Sequence, residues 1–417
     1  MSDFRYKKAR YAVLTIALLC LLSLLLNIKP HTKPVNLSSV GREIISISNI
    51  SKSDDFSDLQ FLKKELSGKQ IVMMGEMLHS DGGTFLAKSR LIRFFNKECG
   101  YDVFLFEAGR YDMYRFENDL HTNRIKVDPA NYIYPFWSSS VQMLPLWNYI
   151  RHSGMKIGGI DVQCTGSISD TMRRDLLFKY LKRFDKDPEK KWPYFYKYMG
   201  HLKYAQEHWY LIGGNFKKTY YPDRICADAD SIVKILSDHV YASYVKGIKN
   251  VLLYSTKYEV GESLRERWRD SLMAENFVDI MQSPEYKDKK VIIWCANLHA
   301  FNDNSQFYGH SFINFGERIK KLFGNKIYTI IFTSYSRHDK DDNKIYDVSG
   351  FNTIEYALHS QHKPYLYIKS LTDKVLNPVA CRANQDLAFD LNLGKMADAL
   401  FFIDSNENVY YPKQYHN

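Results

Sequence analysis

None of the six cysteines (Cys20, Cys99, Cys164, Cys226, Cys295, Cys381) stands in a Cys-x-x-Cys pair, which argues against a zinc ribbon and a dense disulfide framework. The chain also lacks a Gly-x-Ser-x-Gly elbow, a phosphate-binding Gly-Lys-Ser/Thr loop and a His-Glu-x-x-His helix. An elbow-type serine hydrolase, a P-loop nucleotidase and that class of metalloprotease therefore lack their expected motif. No internal repeat is present. A broad basic surface is missing too: of the formal net charge of +10, half lies within residues 1–33, where Arg5, Lys7, Lys8, Arg10, Lys29 and Lys33 outnumber Asp3. The remainder is dilute, so no nucleic-acid partner is expected.

What the chain does have is size and apolar content. Its 417 residues are 45% hydrophobic and 15% aromatic, enough for a large core. From Tyr11 to Leu26 only Thr15 and Ser23 are polar, and basic residues from Arg5 to Arg10 precede the run. This is a membrane-insertion signal close to the length a span needs. No Ala-x-Ala site follows, so residues 11–28 read as an uncleaved transmembrane anchor, with residues 1–10 as a cytoplasmic basic tail. A single-pass protein with its main domain exported, on the periplasmic or extracellular face, is the expectation. Residues 29–55, rich in Ser, Asn, Lys and Pro, read as a linker with a short early element, and residues 56–417 as the catalytic domain.

Within that domain, strand-like apolar runs recur at Ile71–Met74, Val103–Phe106, Lys156–Ile160, Val291–Trp294, Ile327–Phe332, Tyr365–Ile368 and Leu400–Ile403. Helix-period segments such as Phe85–Cys99 and Phe312–Phe323 lie between them. The alternation predicts an α/β fold with a mostly parallel sheet covered by helices. Residues 169–257 break the rhythm with long amphipathic patterns (Thr171–Phe184, Trp192–Leu211 and Ala227–Tyr254) and predict a helical insertion that caps the sheet. The aromatic-basic stretch Lys190–Tyr198 reads as half-buried helix rings with solvated lysines.

The runs end in chemistry. Gly75-Glu76-Met77-Leu78-His79 follows the first, Glu107 closes the second, Asp161 the third, and Ala296-Asn297-Leu298-His299 follows the fourth. In an open α/β sheet, ligands collect beyond the carboxyl ends of the strands, so these residues are expected to share one cleft. His79 is the candidate general base, because imidazole titrates nearest neutrality. Glu76, three residues earlier, is placed to orient it. Arg269 and Asn276, on the predicted helix Arg269-Asp270-Ser271-Leu272-Met273-Ala274-Glu275-Asn276, are candidates to face a developing oxyanion. Glu76, His79, Glu107 and His299 are also ligand types, which keeps a metal-dependent hydrolase as an alternative.

Taken together, these motifs resemble the erythromycin esterase family. The resemblance rests on the Gly-Glu-x-x-His turn, Lys88-Ser89-Arg90-Leu91, Phe106-Glu107, Gly159-Ile160-Asp161-Val162-Gln163, the Arg269–Asn276 helix and the strand end at Trp294–His299, in order from about Ile71 to Phe332. It implies an α/β core with a helical insertion and hydrolysis of a macrolide lactone without metal or cofactor. Carried over by position, His79, Glu76, Glu107 and His299 would be catalytic, and Asn297, Arg269, Glu275 and Asp161 would line the substrate site. The chain departs from the family's His-Asn-x-His at Ala296 and has Ser80 where glycine is usual. The expected substrate is therefore a small-molecule ester or lactone, macrolide or not, with a non-catalytic ligand-binding relative as the other outcome. Trp137, Trp147 and Trp209 are candidates for an apolar wall.

Overall fold

Apolar runs with no polar interruption form strands that are buried on both faces, and here they build the centre of the sheet. The structure is a computed structural model that describes residues 35, 37, 43–50, 53–123, 127–207, 221–237, 239–256, 262–308, 312–348, 352–371, 378–384 and 387–412. Its strands are β1 (Glu43–Ser46), β2 (Ile71–Met74), β3 (Val103–Gly109), β4 (Lys156–Asp161), β5 (Val291–Trp294), β6 (Ile327–His338), β7 (Lys344–Asp347), β8 (Tyr365–Lys369), β9 (Val379–Asn384), β10 (Leu387–Leu391) and β11 (Ala399–Glu407). The main sheet runs β1-β8-β11-β6-β2-β5-β3-β4, with β7 paired to β6 and β9-β10 as a separate hairpin. From β11 to β4 every pairing is parallel, whereas β8 and β1 join antiparallel. The expected α/β architecture is present.

Strand alternation sorts the side chains onto two faces. Val72, Met74, Phe104, Phe106, Ile292 and Trp294 pack into the core beneath α1 (Gly82–Cys99), with Phe85, Leu91 and Trp147. Their neighbours Ile71, Met73, Val103, Leu105, Val291 and Ile293 point the other way, against Met273, Phe277 and Phe315. The helical insertion has its own core, in which Leu177, Trp192, Phe195, Ile232 and Ile248 join the sheet domain through Tyr111 and Leu272.

Several expected bounds move, each for a local reason. Residues 43–50 and 53–55, expected as linker, belong to the body: β1 pairs with β8, Ile47 and Ile50 are buried, and the buried Arg90 donates to the Asn49 carbonyl at 2.9 Å and to Asp58 at 2.7 Å. Strand β6 runs six residues past the apolar stretch that ends at Phe332, because β11 supplies ladder partners as far as Glu407. The expected helical pattern over 227–254 is two helices, Pro222–Ile235 and His239–Thr256, separated by an extended Leu236. The pattern over 192–211 is likewise split, into Pro193–Met199 and Leu202–Glu207. Residues 1–34, with the expected anchor, and Trp209 lie outside the described residues; among the described residues no helix is long and apolar enough to cross a membrane.

Gly75, at the exit of β2, shows how tightly the strand ends are set together. A Cβ there would meet Asn297 Oδ1 at 2.1 Å and the Asn297 Cα at 2.9 Å. Gly75→Ala must therefore push the β2 and β5 exits apart. A destabilisation of about 1–3 kcal/mol, the usual cost of overpacking, is expected in urea denaturation, and an unchanged midpoint would refute this close approach.

Candidate active site

Strands β2, β5, β3 and β4 are adjacent and parallel, so their carboxyl ends form one edge. Glu76 and His79 leave β2 in a turn that precedes α1. The Glu76 carboxylate, fully buried, accepts from His79 Nδ1 at 2.7 Å, from Lys88 Nζ at 2.9 Å and from the Trp294 indole at 2.6 Å. Lys88 is buried as well and sits 4.0 Å from the centre of the Trp294 ring. Burial holds its ammonium below the usual lysine range, and Glu76 opposes that shift. Breaking such a buried pair on one side typically costs about 3–5 kcal/mol, because the remaining charge is stranded.

The imidazole of His79 stacks on Phe136 (centroids 5.0 Å, planes 5° apart) and meets Trp137 edge-on at 5.1 Å. Even so, its side chain is 41% exposed, while its Glu76 partner has no exposure. With Nδ1 committed to Glu76, Nε2 is the nitrogen left for chemistry. Desolvation opposes a proton on this ring, but the Glu76 hydrogen bond and the charges of Glu107 and Glu76 outweigh it. The pKa is accordingly raised above the ordinary 6.5.

Next to this pair stands a second cluster. Glu107 Oε1 accepts from Arg269 Nη2 at 2.7 Å and lies 3.2 Å from His299 Nε2, and its Oε2 accepts from the Ala296 backbone N–H at 2.8 Å. Asp161 takes the same guanidinium through Nη2 at 2.7 Å and Nε at 3.2 Å. His299 Nδ1 lies 2.7 Å from Asp270 Oδ1, which also accepts from the Phe315 N–H. Burial works against charge on His299, but Asp270 and Glu107 raise its pKa well above the usual value. Burial likewise pushes Glu107 upward, yet His299 and Arg269 hold it well below the carboxylate range. His299 is thus enclosed between two carboxylates, with Arg269 Nη1 3.2 Å from its Nε2, and His79 is the imidazole with a solvent-reachable face. The Cys295 thiol is pushed well above its range by burial and by Glu107, so no thiolate stands at this edge.

The structure therefore gathers Glu76, His79, Glu107, Asp161, Arg269 and His299, and treats Asn297, Asn276 and Glu275 differently. Asn297 is buried and spends its side chain on backbone: Nδ2 donates to the carbonyls of Phe332 and Ala383, both at 2.7 Å, and Oδ1 accepts from the Phe332 N–H. It braces the strand ends and does not face a ligand. Asn276, expected to aim at an oxyanion, donates to the Ile160 carbonyl at 3.0 Å. Glu275 is exposed, about 120° around its helix from Arg269 at the usual 3.6 residues per turn, and Arg318 is the charge its carboxyl senses. Trp137 and Trp147 are both buried core: Trp137 meets the His79 ring edge-on, and Trp147 stacks on Phe106 at 5.4 Å.

Sequence reasoning missed the roles of Lys88, Trp294 and Asp270. The signal for Lys88 was present: with Phe85, Ile92 and Phe95 it falls on the inward stripe of α1, where a lysine requires a buried acid. Asp81, two residues after His79, is also buried; desolvation pushes it up to about 7 although Arg337 lies 3.1 Å away. Among the described residues no group of three or more potential ligands converges as a metal cage. The carboxylate oxygens of Glu76 and Glu107 are already engaged by donors.

A family model described as Erythromycin esterase matches residues 97–405, about three quarters of the sequence. The chain belongs to the erythromycin esterase family. The Putative hydrolase YbfO of Bacillus subtilis (strain 168) is 24% identical over 390 residues, covering 83% of this chain and 81% of that protein. Among solved structures, a mutant of the erythromycin esterase EreC in its open conformation aligns with TM-score 0.66 and 17% identity, over 87% of this chain and 98% of that one. A succinoglycan biosynthesis protein aligns with TM-score 0.70 and 15% identity, over 90% and 97%. These two likenesses establish the fold. A hydrolase activity is what the family and the curated relative support. The family match begins beyond Glu76 and His79, so those two residues rest on the geometry above.

Because the folded protein binds the His299 proton more tightly than the unfolded chain does, that stabilisation is complete below about pH 6.5 and is lost as pH rises through the raised value. His299→Gln is expected to cost about 3–5 kcal/mol at low pH and to flatten the alkaline decline in stability. Urea denaturation across pH tests this, and identical pH slopes for the two proteins would refute it.

Proposed function

We propose that the chain hydrolyses an ester or lactone by base-assisted attack of water, with His79 as the base and no metal or cofactor. The observation that carries this reading is the half-exposed His79 ring, fixed through Nδ1 by a buried carboxylate, beside a cluster rich in cations. Water between Nε2 and the carbonyl carbon gives its proton to Nε2 as its oxygen bonds to that carbon and the carbonyl electrons move to oxygen. Arg269 and His299, held by Glu107, Asp161 and Asp270, supply positive charge for that oxyanion. Collapse of the tetrahedral intermediate breaks the bond to the alkoxide, which recovers the proton from Nε2. The ring then returns to its neutral form.

Phe136 and Tyr134, partly exposed and backed by the buried Trp137, supply an apolar wall beside the base, suited to an uncharged substrate body. A macrolide remains one candidate among such esters. Ala296 favours a second reading, a relative that binds without turnover, since this position contributes its backbone N–H to Glu107 and no imidazole. The apolar stretch 11–28 is read as the anchor of an exported domain, because basic residues precede it.

A panel of esters and lactones tested on wild type and His79→Ala discriminates between the two. A fall in kcat of roughly 10²–10⁴-fold, the contribution of a positioned base, in a variant that remains folded at the assay temperature supports catalysis by His79. Ligand binding without turnover in wild type supports the binding role, and loss of activity on chelation with recovery on adding a divalent ion supports a metal hydrolase. Since the base must be neutral, kcat/KM is expected to rise with pH through a value above 6.5.

A further inference from the structure

A second pocket lies beside the edge strand β4, away from the strand-end cluster. It is bounded by α2 (Arg110–Asn123) and by the helices His239–Thr256 and Glu262–Gln282, and is partly open to solvent. Ile280, on its wall, is about 16 Å along its helix from Arg269 at 1.5 Å per residue. Leu105, Ile157 and the rings of Tyr114, Tyr244 and Tyr286 line it, together with Glu117. The hydrolytic scheme above uses none of these side chains.

The cations around this pocket are already engaged: Arg110 and Lys246 pair with Asp279 at 2.6 and 3.4 Å, and Lys156 pairs with Glu285. Among the described residues Glu117 pairs with no lysine or arginine. Its Oε2 accepts from the Tyr286 hydroxyl at 3.3 Å, while its Oε1 is buried with no hydrogen-bond partner among the described residues, His121 Nε2 standing 3.7 Å away. Burial pushes this carboxyl up to about 7, against the opposing pull of Lys156, Tyr286 and the Ile157 backbone N–H. An unsatisfied buried oxygen of this kind costs roughly 1–3 kcal/mol, and a ligand that donates to it recovers that energy. Tyrosine faces around an acid also attract a cation.

We propose that this pocket binds a small organic ammonium, its apolar or aromatic body among Tyr114, Tyr244, Tyr286 and Ile157 and its N–H donating to Glu117 Oε1. The probe is 2-phenylethylammonium, with 2-phenylethanol as the uncharged compound of the same shape, titrated calorimetrically into the full chain. Saturable binding of the amine is expected, weakened by about tenfold or more in the alcohol and in Glu117→Gln, the size of a charged hydrogen bond. Ser283→Trp, which fills the lining, is expected to abolish binding of both probes. Neither substitution is expected to change ester turnover, so this site and the hydrolytic one stand or fall separately. Equal affinity for amine and alcohol, unchanged affinity in Glu117→Gln, or no saturable binding at millimolar concentration would each overturn the proposal. The wild-type comparison of the two probes holds even if a variant fails to fold.

Discussion

The site depends on one buried carboxylate, that of Glu76. Lys88, the Trp294 indole and His79 all donate to it, and each comes from a different element. Charge with no exposure to water is tolerable only when its lone pairs are bonded. Here the bonding does three things: it locks the β2 exit against α1 and β5, it fixes the tautomer of His79, and it favours a proton on that ring. Structure and chemistry are therefore set by the same contacts.

The neighbouring cluster explains why the two imidazoles differ. His299 lies between Asp270 and Glu107 and is nearly enclosed, and the two carboxylates raise its pKa well above the usual value against the cost of burial. His79 has one carboxylate partner and a half-exposed face, so its pKa rises more modestly. The acids Glu76, Glu107, Asp161 and Asp270 hold Lys88, Arg269 and the two imidazoles in place at the strand ends. Ala296 leaves that network intact, because Glu107 takes only its backbone N–H.

Much of this was legible in the chain. Continuous apolar runs located β2, β3, β4, β5 and the start of β6, and the residues just beyond four of them converged as strand-end logic requires. What escaped was polar burial. Thr333, Ser334 and Arg337 look like the end of a strand but are buried in β6, where β11 pairs the backbone, Thr333 donates to Glu355, Ser334 bonds to Tyr346 and Arg337 Nη1 donates to Ser80 and Asp81. Asn297 looked like a ligand-facing donor, yet backbone carbonyls with no signature of their own claim its amide. Lys88 gave a signal as a cation on an inward helical stripe, and Glu275 was misplaced because a motif fixes spacing along a helix but not the face that meets the sheet.

The central claim, that the buried Glu76 makes His79 a base of fixed tautomer and raised pKa, is tested most directly by nitrogen NMR titration of the His79 ring in wild type and Glu76→Gln. The account predicts a proton on Nδ1 in the neutral ring of wild type and a pKa above 6.5 that falls when Glu76 loses its charge. An Nε2-protonated neutral ring, or a pKa indifferent to that substitution, would contradict it.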